Sequence, residues 1–170
     1  DPEREKDSCA PGDGDSQRRL SSIQRSRSTV RKCIRTFEPE YMLTLTTRAN
    51  ITDYKTSRAQ ITKFLRLIRY HYPKQQIIGA AERQKRGAWH WHLAIKQRQS
   101  ANLTRRLWLQ CCDNDGNIDL LQLKTDQAAK YIYKYLGKDF HLVPPGQPMY
   151  IRSRNIKINE ETTRHENLQS

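Results

Sequence analysis

The segment Trp89–Ile95, with the sequence Trp-His-Trp-His-Leu-Ala-Ile, constrains the fold more than any other part of the chain. Its aromatic and aliphatic residues alternate at period two, which predicts a β-strand. Successive side chains of a strand point to opposite faces, so we expect His90 and His92 to share one face and Trp91 to lie on the other. Two neutral imidazoles side by side on a rigid element supply two ligands of a divalent-metal site.

A carboxylate upstream can complete this set of ligands. Glu82 follows the apolar run 76–81, and the polar, glycine-containing segment Arg83–Gly87 separates it from the histidine strand. This pattern is typical of a hairpin, which would place Glu82 beside the histidines. We therefore predict a three-ligand metal site formed by Glu82, His90 and His92, although an isolated His-x-His pair is more often ordinary sheet surface.

A helix rich in tyrosine and lysine is predicted downstream, over residues 131–138. On a helical wheel, Tyr131, Lys134, Tyr135 and Lys138 cluster beside the apolar side, and residues four apart are neighbours on that surface. Tyr133 falls near the apolar edge and is expected to pack in the core. Apolar packing does not call for two cations beside the other two tyrosines, whereas a bound phosphate does.

In this order, the motifs resemble those of HUH endonucleases, and among them the rolling-circle replication initiators of the two-tyrosine phage and plasmid type. The apolar, threonine-containing run 41–46 is similar to the first motif, and residues 90–92 fill the His-hydrophobic-His motif. Glu82 stands where viral members place the third metal ligand. Residues 131–138 fit the third motif, Tyr-x-x-Lys-Tyr-x-x-Lys. The resemblance spans roughly residues 40–140.

This resemblance implies an enzyme that cuts single-stranded DNA at a replication origin. Tyr131 and Tyr135 would be the catalytic tyrosines, assisted by Lys134 and Lys138, with Mn²⁺ or Mg²⁺ as the metal. Attack would leave a 5′-phosphotyrosyl link and a 3′-OH primer, and the strands could later be rejoined. The implied partners are single-stranded DNA or an origin hairpin, together with a host replication helicase or polymerase. The implied location is the cytoplasm of a bacterial host.

Three other functions are weighed against this one. A single-tyrosine HUH transposase has the same motif order, but the tandem tyrosines favour an initiator, whereas relaxases place their tyrosine before the histidine motif. A non-catalytic nucleic-acid-binding sheet domain would bind without needing a metal. A zinc hydrolase usually requires a third nitrogen ligand or a helical His-Glu-x-x-His, and the sequence has neither.

The charge of the chain indicates a polyanionic partner. The formal net charge is +13 and the pI is about 9.9, and basic residues recur in nearly every segment, which favours nucleic acid. Candidate DNA-binding residues are two threonines of the first predicted strand and three cations of the hairpin turn: Thr44, Thr46, Arg83, Lys85 and Arg86. No apolar run approaches the roughly 20 residues needed to cross a bilayer, so no membrane partner is expected.

The length of 170 residues predicts one domain, and the order of its predicted strands and helices indicates the α+β class. We expect an antiparallel sheet of about five strands with helices packed mainly on one face and the metal and tyrosines on the other. Helices are predicted from Thr56 or Ser57 to Tyr70, after Ser100, and after Thr125. The predicted divisions are a disordered basic arm (1–36), the HUH endonuclease domain (37–158) and a frayed tail (159–170).

Overall fold

The fold is built on one five-stranded sheet. The computed structural model describes residues 12–124 and 128–158, and of residues 128, 129 and 131 the backbone only. A short 3-10 turn, Phe140–Leu142, precedes the last strand. In chain order the helices and strands are α1 (Asp13–Phe37), β1 (Tyr41–Thr47), α2 (Tyr54–His71), β2 (Ile77–Arg83), β3 (Trp89–Ile95), α3 (Ala101–Cys111), β4 (Gly116–Gln122), α4 (Ala128–Tyr135) and β5 (Tyr150–Arg152).

The sheet has the strand order β4-β1-β3-β2-β5, and its pairings are antiparallel. The predicted hairpin of β2 and β3 pairs Glu82 directly with His90. On its other side β3 pairs with β1, so the histidine strand lies at the centre of the sheet. The predicted α+β class and five-stranded antiparallel sheet are confirmed.

Helices α2 and α3 cover one face of the sheet. Trp91 points into this layer, where its Nε1 donates to Ser57 Oγ at 2.9 Å and its ring lies 6.1 Å from that of Tyr54. Trp108 of α3 donates from its Nε1 to the Thr46 carbonyl at 2.8 Å. These contacts hold an apolar layer that contains the buried residues Leu43, Leu45 and Leu93.

The N-cap of helix α2 lies three to four residues earlier than predicted. Asp53 is its N-cap, and Asp53 Oδ2 accepts from the Thr56 backbone N–H at 3.0 Å. The prediction of Thr56 or Ser57 as the cap is wrong. The Thr56 hydroxyl donates to Asp53 Oδ2, and the Ser57 hydroxyl accepts from Trp91 Nε1. In α3 the predicted cap is confirmed, since Ser100 Oγ accepts from the Leu103 N–H.

Helix α1 was not expected from the sequence. The prediction of a disordered arm is wrong for residues 13–36, which form most of a 25-residue helix with a buried apolar stripe. The stripe consists of Ile23, Val30, Cys33, Ile34 and Phe37. Burying one large apolar side chain stabilises a fold by about 1.5–3 kcal/mol, so this sparse stripe is enough to hold a polar helix on the sheet.

Helices α1 and α4 lie on the face opposite α2 and α3. Tyr135 of α4 packs against His92, and Arg27 of α1 donates from Nε to the carbonyl of Gly137, just after α4. This face also carries four buried aliphatic residues next to the predicted metal ligands: Met42, Ile78, Ala80 and Ala94. The predicted metal ligands therefore lie beside the buried apolar residues of this face.

Three predictions fall outside the residues that the structure describes. They are the arm over residues 1–11, the Thr125 cap of the tyrosine helix and the tail 159–170. In the described ranges, none of the helices combines the length and the apolar character that a membrane span requires.

Candidate metal and nucleic-acid site

Glu82, His90 and His92 converge on one face of the sheet, as strand periodicity predicts. Glu82 Oε2 lies 3.2 Å from His90 Nε2 and 2.6 Å from His92 Nε2. One ligand atom from each of the three residues can be chosen so that all lie within 4.8 Å of one another. The two imidazole rings stand edge to face, with centroids 4.8 Å apart.

The chemistry of this donor set fits a hard or borderline divalent cation. Two imidazole nitrogens and one carboxylate suit manganese, and magnesium with more water ligands, while leaving coordination positions for other oxygens. The side chains of Glu82, His90 and His92 are 17, 14 and 8% exposed. The three side chains are therefore largely buried, but each keeps some accessible surface.

Burial and hydrogen bonding set the protonation of these groups. Burial lowers the pKa of His92, against the raising effect of its hydrogen bond to Glu82. For Glu82, burial acts to raise the pKa, but the hydrogen bonds from His90 and His92 outweigh it and the net shift is downward. A neutral imidazole and an ionised carboxylate are the forms that bind metal.

Thr44 lies beside His92 on the neighbouring strand, and its role in DNA binding stays a prediction. It is the direct partner of His92 in the β1–β3 register, and its Oγ1 is 3.1 Å from His92 Nδ1. When Nε2 serves as the ligand, Nδ1 carries the proton and donates to this oxygen. His90 has no such support, because its buried Nδ1 lacks a hydrogen-bond partner within the described part of the chain.

Helix α4 and the segment that follows it bring a tyrosine and two lysines to the three predicted ligands. The Tyr135 ring lies 4.7 Å from the His92 ring, and Lys134 Nζ lies 5.4 Å from the centroid of the Tyr135 ring. Gly137, with φ of +91°, reverses the chain after α4. This reversal places Lys138 Nζ 3.4 Å from Glu82 Oε1.

The position of the Tyr131 side chain stays a prediction. Its backbone belongs to α4, one helical turn before Tyr135, but its side chain is outside the described residues. The predicted core position of Tyr133 is wrong, since this side of α4 faces a groove and Tyr133 is 37% exposed.

The cations of the β2–β3 turn have different surroundings from one another. Arg86 donates to the carbonyls of Thr47 and Arg48, both at 2.6 Å, and so fastens the turn to the end of β1. The Arg83 guanidinium lies 6.0 Å from the centroid of the Trp89 ring, and Lys85 is exposed.

Two further polar groups complete the surroundings of the site. Thr46, the other predicted DNA-binding threonine, donates to the Asn117 carbonyl at 3.4 Å. Asp139, which the sequence analysis missed, is buried and its Oδ2 accepts from the Arg83 backbone N–H at 2.8 Å. This bond joins the segment after α4 to the end of β2, close to Glu82.

Comparison with known proteins gives one family match. A family model described as "Replication-associated protein ORF2/G2P" matches residues 40–140, which is more than half of the chain. No curated protein matches. The crystal structure of the hypothetical protein ORF119 from Sulfolobus islandicus rod-shaped virus 1 is similar at 16% identity and a TM-score of 0.42, over 68% of this chain and 88% of that chain. That likeness is too low to support an argument.

Proposed function

This chain belongs to the replication-associated protein ORF2/G2P family, and we propose that it starts replication by cutting single-stranded DNA with a tyrosine. The observation that carries the proposal is the meeting of three metal-type ligands with α4. Tyr135 packs on one of those ligands, His92, and Lys138 contacts another, Glu82. A sheet domain that only bound nucleic acid would have no need for this combination.

Glu82, His90 and His92 would hold the cation, Mn²⁺ or Mg²⁺. When bound, such an ion neutralises negative charge on a phosphate and helps to orient it. Thr44 would fix the His92 ring so that Nε2 faces the ion. Lys138, on the opposite oxygen of Glu82, would add a second positive charge beside the phosphate.

The tyrosine would be the nucleophile. Its oxygen would form a bond to phosphorus as the bond from phosphorus to the 3′ oxygen breaks. The phenolic proton passes to solvent, and the departing 3′ oxygen takes the electron pair and then a proton. An unperturbed tyrosine has a pKa of about 10, so a nearby cation must favour its ionised form. Lys134, whose Nζ lies 5.4 Å from the centroid of the Tyr135 ring, would take that role.

Tyr131 is the first choice for the nucleophile and Tyr135 the second, following the Tyr-x-x-Lys-Tyr-x-x-Lys pattern. The phosphotyrosyl bond would keep the energy of the phosphodiester, so a free 3′-OH could attack it and rejoin the strand. Two tyrosines would allow one to cut while the other still holds a 5′ end. The released 3′-OH would prime synthesis by a host polymerase.

The test is the formation of a covalent protein–DNA adduct. A pool of single-stranded oligonucleotides of random sequence is incubated with the protein and Mn²⁺, then denatured and resolved by electrophoresis. Label at the 3′ end should stay with the protein, and label at the 5′ end should not. A chelator, or Glu82→Gln, should abolish the adduct.

Tyrosine variants then identify the nucleophile. We expect Tyr131→Phe to lower the adduct yield more than Tyr135→Phe, and the double variant to form none. Tyr70→Phe is the matched control, because Tyr70 is 83% exposed on α2, on the opposite face of the sheet. Binding of the oligonucleotides with no adduct under any divalent metal would instead identify a non-catalytic nucleic-acid-binding domain.

A further inference from the structure

A groove runs between α1 and α4, next to the candidate metal site. Its walls carry Arg27 and Arg31 of α1 and, from the region of α4, Lys134 and Lys138. Val30 and Leu136 form a buried apolar floor. We call this surface the α1–α4 groove.

The charge of the α1–α4 groove has one sign. Four of its lining residues are cations, and no carboxylate lines it among the described residues. The Arg27 Nε donates to the Gly137 carbonyl at 3.3 Å, which holds the two walls together. Cations gathered this closely repel one another unless an anion lies between them, so the groove is suited to a ligand with several negative charges.

An aromatic ring lies in the same groove. Tyr133 lines it and is 37% exposed, one of the few large apolar side chains on the described surface. Grooves that bind single-stranded nucleic acid combine cations that follow the backbone with aromatic rings on which bases stack. Inorganic phosphate or an acidic peptide would use the cations but would have no need for this ring.

The groove is continuous with the candidate metal site. Lys138 lines the groove and also lies 3.4 Å from Glu82 Oε1. Lys134 lines the groove and also lies over the ring of Tyr135, which packs on His92. A strand whose phosphate lay at the metal ligands would reach the groove with its adjoining nucleotides.

We propose that the α1–α4 groove binds the single-stranded DNA adjoining the cleaved phosphate, with Arg27 and Arg31 on the backbone and a base stacked on Tyr133. This rests on the proposed function and extends it, because it assigns to α1 a direct share in holding the substrate. Helix α1 precedes the region matched by the family model, which begins at residue 40.

The first test measures binding without chemistry. The affinity of the full chain for a fluorescent oligothymidine is measured by anisotropy, with a chelator present, over a range of salt concentrations. The double variant R27Q/R31Q is compared with R105Q/R106Q, which removes two exposed charges from α3 on the opposite face of the sheet.

We expect R27Q/R31Q to weaken binding at least tenfold more than R105Q/R106Q does. The slope of log affinity against log salt should fall in magnitude by about 0.7 for each phosphate that is no longer neutralised. Equal weakening in the two double variants would overturn the proposal, since overall charge would then account for both. If removal of the Arg27 bond to Gly137 unfolds the double variant, the single variants R31Q and R105Q make the same comparison.

The second test concerns the ring of Tyr133. Tyr133→Ala should weaken binding about tenfold, since loss of one stacked base costs about 1–3 kcal/mol, and Tyr133→Phe should bind like the original protein. Unchanged binding by Tyr133→Ala would exclude the stacking role.

The two proposals fail in different ways. If no covalent adduct forms but the groove variants weaken binding, the cutting function is wrong and the groove stands only as a binding site for single-stranded DNA. If the adduct forms and the groove variants bind as well as the original protein, the groove is wrong and the cutting function stands.

Discussion

At the scale of single residues, Thr44 is expected to position His92. Thr44→Val keeps the shape of the side chain but removes the oxygen 3.1 Å from His92 Nδ1. We expect the affinity for Mn²⁺ to fall about 10- to 100-fold, as is common when the partner of a ligating histidine is removed. Calorimetric titration with Mn²⁺ measures this directly.

Thr46→Val is the matched control for that measurement. Thr46 lies on the same face of β1, but its hydroxyl bonds only to the Asn117 carbonyl among the described residues. Its replacement should leave Mn²⁺ affinity unchanged. If Thr44→Val also binds Mn²⁺ with unchanged affinity, the proposed orientation of His92 by Thr44 is wrong.

The pH dependence of metal binding follows from the shifted pKa values of two ligands. Burial lowers the pKa of His92, and the pKa of Glu82 is also lowered, by hydrogen bonds that outweigh its burial. Protons on these two groups therefore compete with a bound metal only below the ordinary histidine pKa of about 6.5. We expect Mn²⁺ affinity to decline on acidification, with the part due to His92 confined to pH values below about 6.5.

Titration of Mn²⁺ followed by electron paramagnetic resonance at a series of pH values checks this. A loss of Mn²⁺ affinity that is complete above about pH 6.5 would mean that His92 holds its proton more tightly than its buried position indicates.

The sequence predicted those parts of the site whose geometry follows from local periodicity. Period-two alternation placed His90 and His92 on one face, and the hairpin pattern placed Glu82 beside them, as the structure shows. The bond between Thr44 and His92 depends on the register of β1 against β3, which are separated by a helix and another strand. No local pattern specifies such a register, so the sequence predicted Thr44 only as a candidate DNA-binding residue and did not indicate its bond to His92.

At the scale of whole elements, α1 is expected to contribute to the stability of the core. Phe37 is 4% exposed and Leu20 is 60% exposed on the same helix. Phe37→Ala should lower the free energy of unfolding by about 3–5 kcal/mol, whereas Leu20→Ala should change it by no more than about 0.5 kcal/mol. Urea denaturation followed by circular dichroism measures both, and equal, small effects would mean that α1 is not packed on the sheet.

Helix α1 was missed because the amino-acid composition of this segment was given more weight than the spacing of its apolar residues. Serines and arginines dominate residues 16–36, which is typical of a disordered arm. However, Ile23, Val30, Ile34 and Phe37 recur at intervals of seven, four and three residues, which keeps them on one side of a helix. The sheet supplies the surface that buries these residues. Because other segments form that sheet, the sequence of residues 16–36 alone does not indicate it.

At the scale of the whole molecule, the two faces of the sheet have different surroundings. The face under α2 and α3 carries the tryptophan core, with Trp91 and Trp108 bonded within it. The other face, under α1 and α4, carries the three predicted ligands and the basic groove. The class of fold could be predicted from the order of strands and helices. The position of β1 between β3 and β4 could not, because it depends on pairing between segments far apart in the chain.

The central place of β3 has a consequence for local opening of the backbone. This strand is hydrogen-bonded on both sides, to β1 and β2, whereas β4 pairs with β1 alone among the described strands. Deuterium uptake should therefore be slowest over residues 89–95 and faster over residues 116–122, as mass spectrometry of exchanged peptides would record. If the amides of this strand resist exchange before any ion is added, the backbone that carries His90 and His92 is already ordered. Folding alone would then position the two imidazoles, without help from a metal.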